Sequence, residues 1–292
     1  MVMIRQLHPG DEDVLEAFLL PRLETSMFLL SNMRASGLEY DGERYTGDYV
    51  AAFEEDRIVA VMAHFWIGNV ITQAPVHLES LWRATLAASG RPLKGILGPH
   101  EQVQPLKSML PLESVALQLD RREPLYNLAL TELLVPEALR TGRVTGRRAE
   151  RRDVDILTRW GVNYDIEALG EVETAQLWAR ERAAAERVVD EGQTWILEDH
   201  GQPVSTSAFN SAIQEAVQIG AVWTPPEFRG RGYARCVVAQ SLLDARTAGA
   251  QMAILFTGDD NIPAQKAYTA LGFRYIGDYY LFVLREPLDV AA

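Results

Sequence analysis

The chain has 292 residues, 48% hydrophobic and 23% charged, an ordinary globular composition with core material for about two domains of typical size. Its 28 Lys and Arg face 40 Asp and Glu, and the net charge of −12 argues against a general binder of nucleic acid or anionic membrane, whose footprint is basic. A single cysteine, Cys236, excludes an intrachain disulfide, acidic residues arrive too early for a secretory leader, and no apolar run approaches the ~20 residues of a membrane span, so a cytoplasmic location is expected.

Within 49–75, apolar and aromatic runs broken at Glu54-Glu55-Asp56 and at Gly68-Asn69 predict three strands. Leu78, Leu81, Trp82 and Leu86 fall near helical spacing and predict a helix over 77–88. A buried strand at 93–99, a Pro-interrupted helix at 100–110 and a strand at 125–135 follow. The stretch 136–155 contains "RTGRVTGRRAERRD" and reads as a linker. Its run Arg147–Asp153 reads as a solvated linker or helix start rather than a nucleic-acid patch.

A helix is expected at 172–189 by composition, then strands at 194–199, 203–212 and 216–223. A helix from about 233 to 248, a strand at 252–257, a helix at 262–272 closed by Gly272 and a strand at 279–284 complete the chain. The order strand-strand-strand-helix-strand-helix-strand therefore occurs twice. It predicts an α+β protein made of two copies of one unit, residues 1–140 and 150–292.

The stretch "VWTPPEFRGRGYA" (222–234) carries the chemistry. Pro225 and Pro226 cannot continue a central strand. Gly230 and Gly232 allow positive φ and close backbone approach. Behind them, Ala234, Val237, Val238, Leu242 and Ala245 give a helix one buried face. A strand, a glycine loop and a helix N-terminus make an anion site, to which Arg229 and Arg231 add charge-assisted donors. The expected ligand carries a phosphate or pyrophosphate. The spacing fits neither the P-loop nor GxGxxG.

Arg229-Gly230-Arg231-Gly232-Tyr233-Ala234 resembles the R/Q-x-x-G-x-G/A signature of the Gcn5-related N-acetyltransferase (GNAT) superfamily. Downstream, "FTGDDNIPAQKAYTALGFRYIGD" is similar to that superfamily's second motif, with Asn261, Tyr268 and Leu271-Gly272-Phe273 in the matching places. The resemblance covers about 190–285 well and the first half weakly. It implies two GNAT-like domains, each a mixed, mostly antiparallel sheet flanked by helices, and acetyl-coenzyme A as cosubstrate. By resemblance, the loop amides of 229–234 hold the pyrophosphate, and the backbone of Ala221, Val222, Trp223 and Thr224 holds the pantetheine arm. Asn261 contacts that arm or caps its helix, and Tyr268 is the general acid. The Trp223 side chain lies beside the cofactor or turns into the core.

The implied reaction moves an acetyl group directly to a primary amine of a small-molecule or amino-acid-like acceptor. Two alternatives remain: a different acyl donor or a glycine-like acceptor, and a non-enzymatic coenzyme A sensor or assembly domain. Cys236 reads as a buried structural thiol. Glu215, Asp259, Asp260, His200 and Asp278 are weighed as general base, and none is chosen. The five histidines are scattered and no metal site is expected. In the first half, "VITQAPVHLESLW" has no glycine and no arginine before its helix, so that copy is expected to be degenerate and to bind no cofactor there. Tyr40, Tyr45, Trp66, Asn69 and Gln73 are its candidates for lining an acceptor cleft.

Overall fold

The computed structural model describes residues 2–113 and 115–290. In chain order the first half holds β1 (Met3–Gln6), α1 (Glu12–Leu19), α2 (Leu23–Ser36), β2 (Gly47–Glu54), β3 (Arg57–Phe65) and β4 (Asn69–Gln73). It continues with α3 (Leu78–Ser89), β5 (Leu93–Pro99), α4 (His100–Lys107) and β6 (Leu117–Ala129). After the single turn α5 (Glu137–Arg140) come β7 (Val144–Arg148), α6 (Val154–Leu169), α7 (Ala175–Asp190), β8 (Thr194–Asp199), β9 (Gln202–Ala212) and β10 (Ala216–Trp223). The chain ends with α8 (Tyr233–Thr247), β11 (Met252–Phe256), α9 (Ile262–Thr269) and β12 (Arg274–Leu288). Apart from α5, one order of strand, two helices, three strands, helix, strand, helix and strand runs twice, so the seven-element repeat the sequence predicts is preceded in each copy by a strand and two helices.

Two compact units result: Met1–Leu125 with Gly277–Ala292, and Tyr126–Ile276. The chain passes from the first to the second inside β6 and returns inside β12. In the first unit the strand order is β1-β2-β3-β4-β5-β12-β6. There β1–β2, β2–β3, β3–β4 and β5–β12 are antiparallel, and β4–β5 is parallel. In the second unit the order is β6-β11-β10-β9-β8-β7. There β7–β8, β8–β9 and β9–β10 are antiparallel, and β10–β11 is parallel. Each parallel pair is joined by a helical crossover, α3 or α8, as parallel strands require. The last strand of the chain differs from the sequence expectation in its partner. Tyr279 to Val283 pair with Pro99 to Gly95, so β12 closes the sheet of the first unit.

Three further differences are local. The predicted linker contains β7, whose Arg147 bonds both Asp153 (2.6 Å) and Glu198 (2.7 Å). Burial works against the Asp153 charge, yet bonds from Arg147 and the Glu150 amide keep its pKa below the usual carboxylate range. The strand read at 125–135 begins earlier, at Leu117, and a 3-10 turn replaces it from Leu130. β1, α1 and α2 of the first half and α6 of the second lie outside the predicted elements.

Alternation along β8 sets the layers of the second unit. Trp195 and Leu197 join Val217, Ile219 and the Val237, Val238 and Leu242 face of α8 in one core. Ile196 and Trp223 pack on the opposite face, with Leu157 and Trp160 of α6 and Ala185 and Val189 of α7. The first unit repeats the scheme, with Leu81, Trp82 and Leu86 of α3 against Val50, Met62, Ile96 and Phe282. Among the described residues, no helix is long and apolar enough to cross a membrane.

His64 on β3 is fully buried, with Nδ1 2.7 Å from Ser89 Oγ. Burial, reinforced by the nearby Arg91 guanidinium, depresses its pKa to about 4. The unfolded chain, with a His pKa of about 6.5, then binds more protons than the native state between these values. The stabilisation is present above about pH 6.5 and is lost as pH falls toward 4, by up to about 3 kcal/mol. The urea midpoint of the protein is expected to fall more steeply between pH 6.5 and 5 than that of His64→Gln. Parallel profiles would assign no such role to His64.

Candidate active site

β10 and β11 pair only from Ala216↔Met252 to Gln218↔Ile254. β10 then runs on to Trp223 along β9 alone, through Ile219↔Phe209, Gly220↔Ala208 and Trp223↔Thr206. Register breaks fall at Gln218/Ile219 and between Gly220 and Trp223. Inside the second break Ala221 has φ 46°, left-handed and unusual for a residue with a Cβ. The strand end is pinned from behind: Ser205 Oγ donates to the Trp223 carbonyl (3.0 Å) and lies 2.8 Å from Thr224 Oγ1. The backbone from Ile219 to Trp223 is thus free of strand pairing on its β11 side. An extended ligand can add there as a strand would.

The chain then turns through Pro225 and a short 3-10 turn, Pro226–Phe228, into the glycine loop. Gly230 and Gly232 have φ 76° and 79°, and a Cβ at Gly230 would meet nothing within 4 Å. Conformation, not space, therefore demands glycine at 230. Gly232 is the N-cap of α8 and no side chain caps that helix. The first α8 amides, from Tyr233 and Ala234 onward, consequently point outward at the positive end of the helix dipole. The Tyr233 ring is buried and its hydroxyl donates to Asp199, whose carboxylate raises the phenol pKa. Its side chain anchors the loop, and its amide remains at the helix mouth. Cys236 is buried, and burial raises its thiol pKa, which suits a structural group.

The two arginines are placed differently. Arg229 forms a two-pronged ion pair with Glu167 of α6, at 2.9 Å for each contact. It also donates from Nε to the Thr224 carbonyl (2.9 Å) and lies 4.8 Å from the centre of the Trp223 ring. Arg231 is exposed and makes one long bond, Nη2 to the Glu227 carbonyl at 3.3 Å. Trp223 turns into the core, where Tyr164 of α6 meets its ring edge-to-face at 6.0 Å. Asn261 caps α9 by accepting from the Ala264 amide at 3.2 Å. Tyr268 on α9 is 8% exposed and packs edge-on against Phe273 at 6.0 Å. Val222 lies at the margin of the α8-side core.

The residues weighed as general base are dispersed. The Glu215 carbonyl anchors the start of β11 through the Gln251 (3.0 Å) and Met252 (3.2 Å) amides, at the end of β10 remote from the loop. His200 sits at a hairpin turn with φ 50°. Asp259 and Asp260 are exposed before α9, and Asp278 belongs to the first unit, 3.5 Å from Arg122. Glu167, Ser205 and Asp199 shape the loop and escape a reading by local motif. The hydroxyl run Ser205-Thr206-Ser207 inside a strand is the signal that could have raised one of them.

At the corresponding place in the first unit, β4 ends at Gln73 and α3 begins at Leu78 with no intervening glycine. Its N-cap, His77, has φ 56° and meets Glu54 at 2.7 Å. Gln73 is buried and accepts from Thr25 (2.6 Å) and Ser26 (3.2 Å). Tyr40 lies under Arg91, and Tyr45 packs on Trp66. Asn69 Oδ1 approaches Gly95 so closely that a Cβ there would come within 2.7 Å of it. These contacts serve packing.

Residues 160–273 match the acetyltransferase (GNAT) family. They form a GNAT domain. The matched span includes β10, the glycine loop, α8, β11 and α9, the elements built above. No curated protein matches the chain. Solved structures reproduce its fold along its whole length. A Drosophila melanogaster protein superposes with a TM-score of 0.67 at 14% identity, covering 97% of this chain and 99% of that one. A tandem GNAT protein from the clavulanic acid biosynthesis pathway gives 0.55 at 11% identity, with 100% of both chains covered. A GNAT-family acetyltransferase from Colwellia psychrerythraea gives 0.54 at 14%, covering 97% and 100%. The α+β fold with mostly antiparallel sheets is therefore that of GNAT proteins, and residues 160–273 match a family of acetyltransferases. Among the described residues, no group of three or more His, Cys, Asp or Glu could hold a metal ion.

The left-handed Ala221 is a strain that glycine would relieve. Ala221→Gly is expected to stabilise the protein by about 1 kcal/mol. Urea unfolding checks this; a destabilised variant would mean that the bulge is held by more than backbone geometry.

Proposed function

We propose that this protein transfers the acetyl group of acetyl-coenzyme A to a primary amine of a small-molecule or amino-acid-like acceptor. The observation that carries the reading is one continuous piece of backbone: a strand released from its neighbour after Gln218, leading through Gly230 and Gly232 into an uncapped helix. It offers a free edge to an extended amide-bearing arm and a cluster of amides to a diphosphate. The residues present fit that group.

Acetyl-coenzyme A supplies an activated thioester when bound. The chain's own groups do the rest. Amides of the loop and of the first α8 turn, at 230–234, cradle the diphosphate, with Arg229 and Arg231 as charged donors. The backbone of Ala221 to Thr224 aligns the pantetheine arm, and a β10 amide polarises the thioester carbonyl. Asn261 keeps its capping bond while contacting the arm. As the N–C bond forms and the C–S bond breaks, the Tyr268 hydroxyl gives a proton to the departing sulfur, and the amine gives one to water, from which Tyr268 is reprotonated. The first-half copy, 1–140, binds no cofactor in this scheme, and 150–292 carries the reaction. The single, buried Cys236 accords with a reducing compartment such as the cytoplasm.

Arg229 commits three of its five N–H donors to Glu167 and the Thr224 carbonyl, so Glu167 competes with the ligand for its charge. Calorimetric titration with acetyl-coenzyme A is expected to give saturable binding at sub-millimolar cofactor; no binding there sinks the proposal. Glu167→Gln is expected to tighten binding several-fold and Arg229→Ala to weaken it about tenfold, roughly the loss of a charge-assisted bond. Tyr268→Phe is expected to slow turnover about 10²-fold with cofactor affinity little changed. Equal loss of both would make Tyr268 a packing residue only. A panel of acyl donors, read by thiol release, separates acetyl transfer from longer acyl chains.

A further inference from the structure

Four polar atoms are buried without a hydrogen-bond partner on one face of the second unit's sheet. They are Thr194 Oγ1, Ser211 Oγ, Gln218 Oε1 and Trp223 Nε1. Their residues are 3%, 8%, 2% and 6% exposed, so bulk water does not serve them well. Native structures leave few such groups, because an unmade bond forfeits the solvation the group had in water.

The register places them together. Val217 lies in the α8-side core, so Gln218 and its direct partner Ser211 project to the other face. Trp223 occupies that face with α6 and α7, across from Thr206. Between these two rows, Thr194 pairs with Ala208 and Ala208 with Gly220. That row carries only small side chains. Asn210, the extra residue of the first register break, is exposed and lays its amide over Gly220, where a Cβ would stand. Ser207 also lacks a partner, but it faces the α8 side, opposite Trp195, and lies outside this patch.

The donor set defines what fits. Gln218 Oε1 only accepts, Trp223 Nε1 only donates, and the two hydroxyls do either. Neither β9 nor β10 contains an ionisable side chain. A carboxylate or a second cation on the ligand would find no counter-charge on these strands, whereas alcohol groups would find donors and acceptors at once. We infer that this face of β9 and β10 is the acceptor surface, and that it takes an uncharged, hydroxyl-bearing chain attached to the reacting amine. Ser211 and Gln218 bind the hydroxyls, with Asn210 closing over them. The inference rests on the acyl-transfer reading and narrows its acceptor from amines in general to amino alcohols.

The test compares three small amines on the full chain. Serinol carries two hydroxyls, isopropylamine is its counterpart without them, and serine replaces one hydroxymethyl by a carboxylate. With acetyl-coenzyme A as donor, kcat/KM for serinol is expected to exceed that for each of the others by at least tenfold. Gln218→Leu and Ser211→Ala are expected to erase most of that preference through KM, while acetyl-coenzyme A affinity, measured on the same samples, stays unchanged and reports that they are folded. Comparable rates for isopropylamine, a preference for serine, or variants that keep the wild-type preference would each overturn the inference and leave acyl transfer standing. Saturation-transfer NMR of serinol and isopropylamine, without cofactor, reads the surface directly. Serinol binding that Gln218→Leu abolishes supports the polar surface even where no acetyl-coenzyme A binds and the acyl-transfer reading fails. Absent or unselective binding there overturns it.

Discussion

The early end of pairing between β10 and β11 is the constraint from which the rest of the second unit follows. A central strand normally spends its backbone donors and acceptors on two neighbours. β10 does so only as far as Gln218 and then keeps one neighbour, β9. The freed edge persists because other contacts hold the strand in place. Ser205 bonds the Trp223 carbonyl from behind, Trp223 is embedded among α6 and α7 side chains, and the bulge at Ala221 turns the chain locally. The polar edge is thus bought with packing on the α6/α7 face, a trade common at sites that receive extended ligands.

Electrostatics at the loop is local and opposed to the whole. A chain of net charge −12 repels a diphosphate at long range, but beyond a Debye length of about 8 Å that field is screened. Within that distance lie the positive end of α8 and the Arg229 and Arg231 guanidiniums. Glu167 neutralises Arg229 in the absence of ligand, and so the loop does not sit as an unpaired cation. This pairing also couples α6, the helix over the proposed acceptor face, to the phosphate end of the site.

Much of this was legible where the determinants are close in sequence. The glycine loop and α8 were readable because Pro225, Pro226, Gly230 and Gly232 act through their own backbone, and the α8 face repeats every three to four residues. The hairpins β2–β3 and β8–β9 were readable from Glu55-Asp56 and His200-Gly201, all four of which adopt or flank positive φ. The rest depends on partners far along the chain. Arg229 and Glu167 are 62 residues apart, and no pattern in either segment joins them. α6 was hidden by Gly161, a poor helix former in isolation; in the structure a Cβ there would stand 2.5 Å from Glu181 of α7. The pairing of β12 with β5 was invisible because any buried strand of that length satisfies the same local pattern.

That last pairing has a consequence for how the protein is made. The second unit is a single uninterrupted segment, Tyr126–Ile276, and all its strands have left the ribosome before β12 has fully emerged. The first unit is synthesised earlier but must wait, with the β5 edge open, for residues 279–283. Order of emergence and order of completion are therefore reversed. Closing so long a loop costs more conformational entropy than a hairpin does, though the cost grows only slowly with length. An open strand edge held through that interval is a template for pairing with other chains. Translation rate and chaperone access across the stretch that encodes α8, β11 and α9 thus bear on the yield of a unit those residues do not belong to.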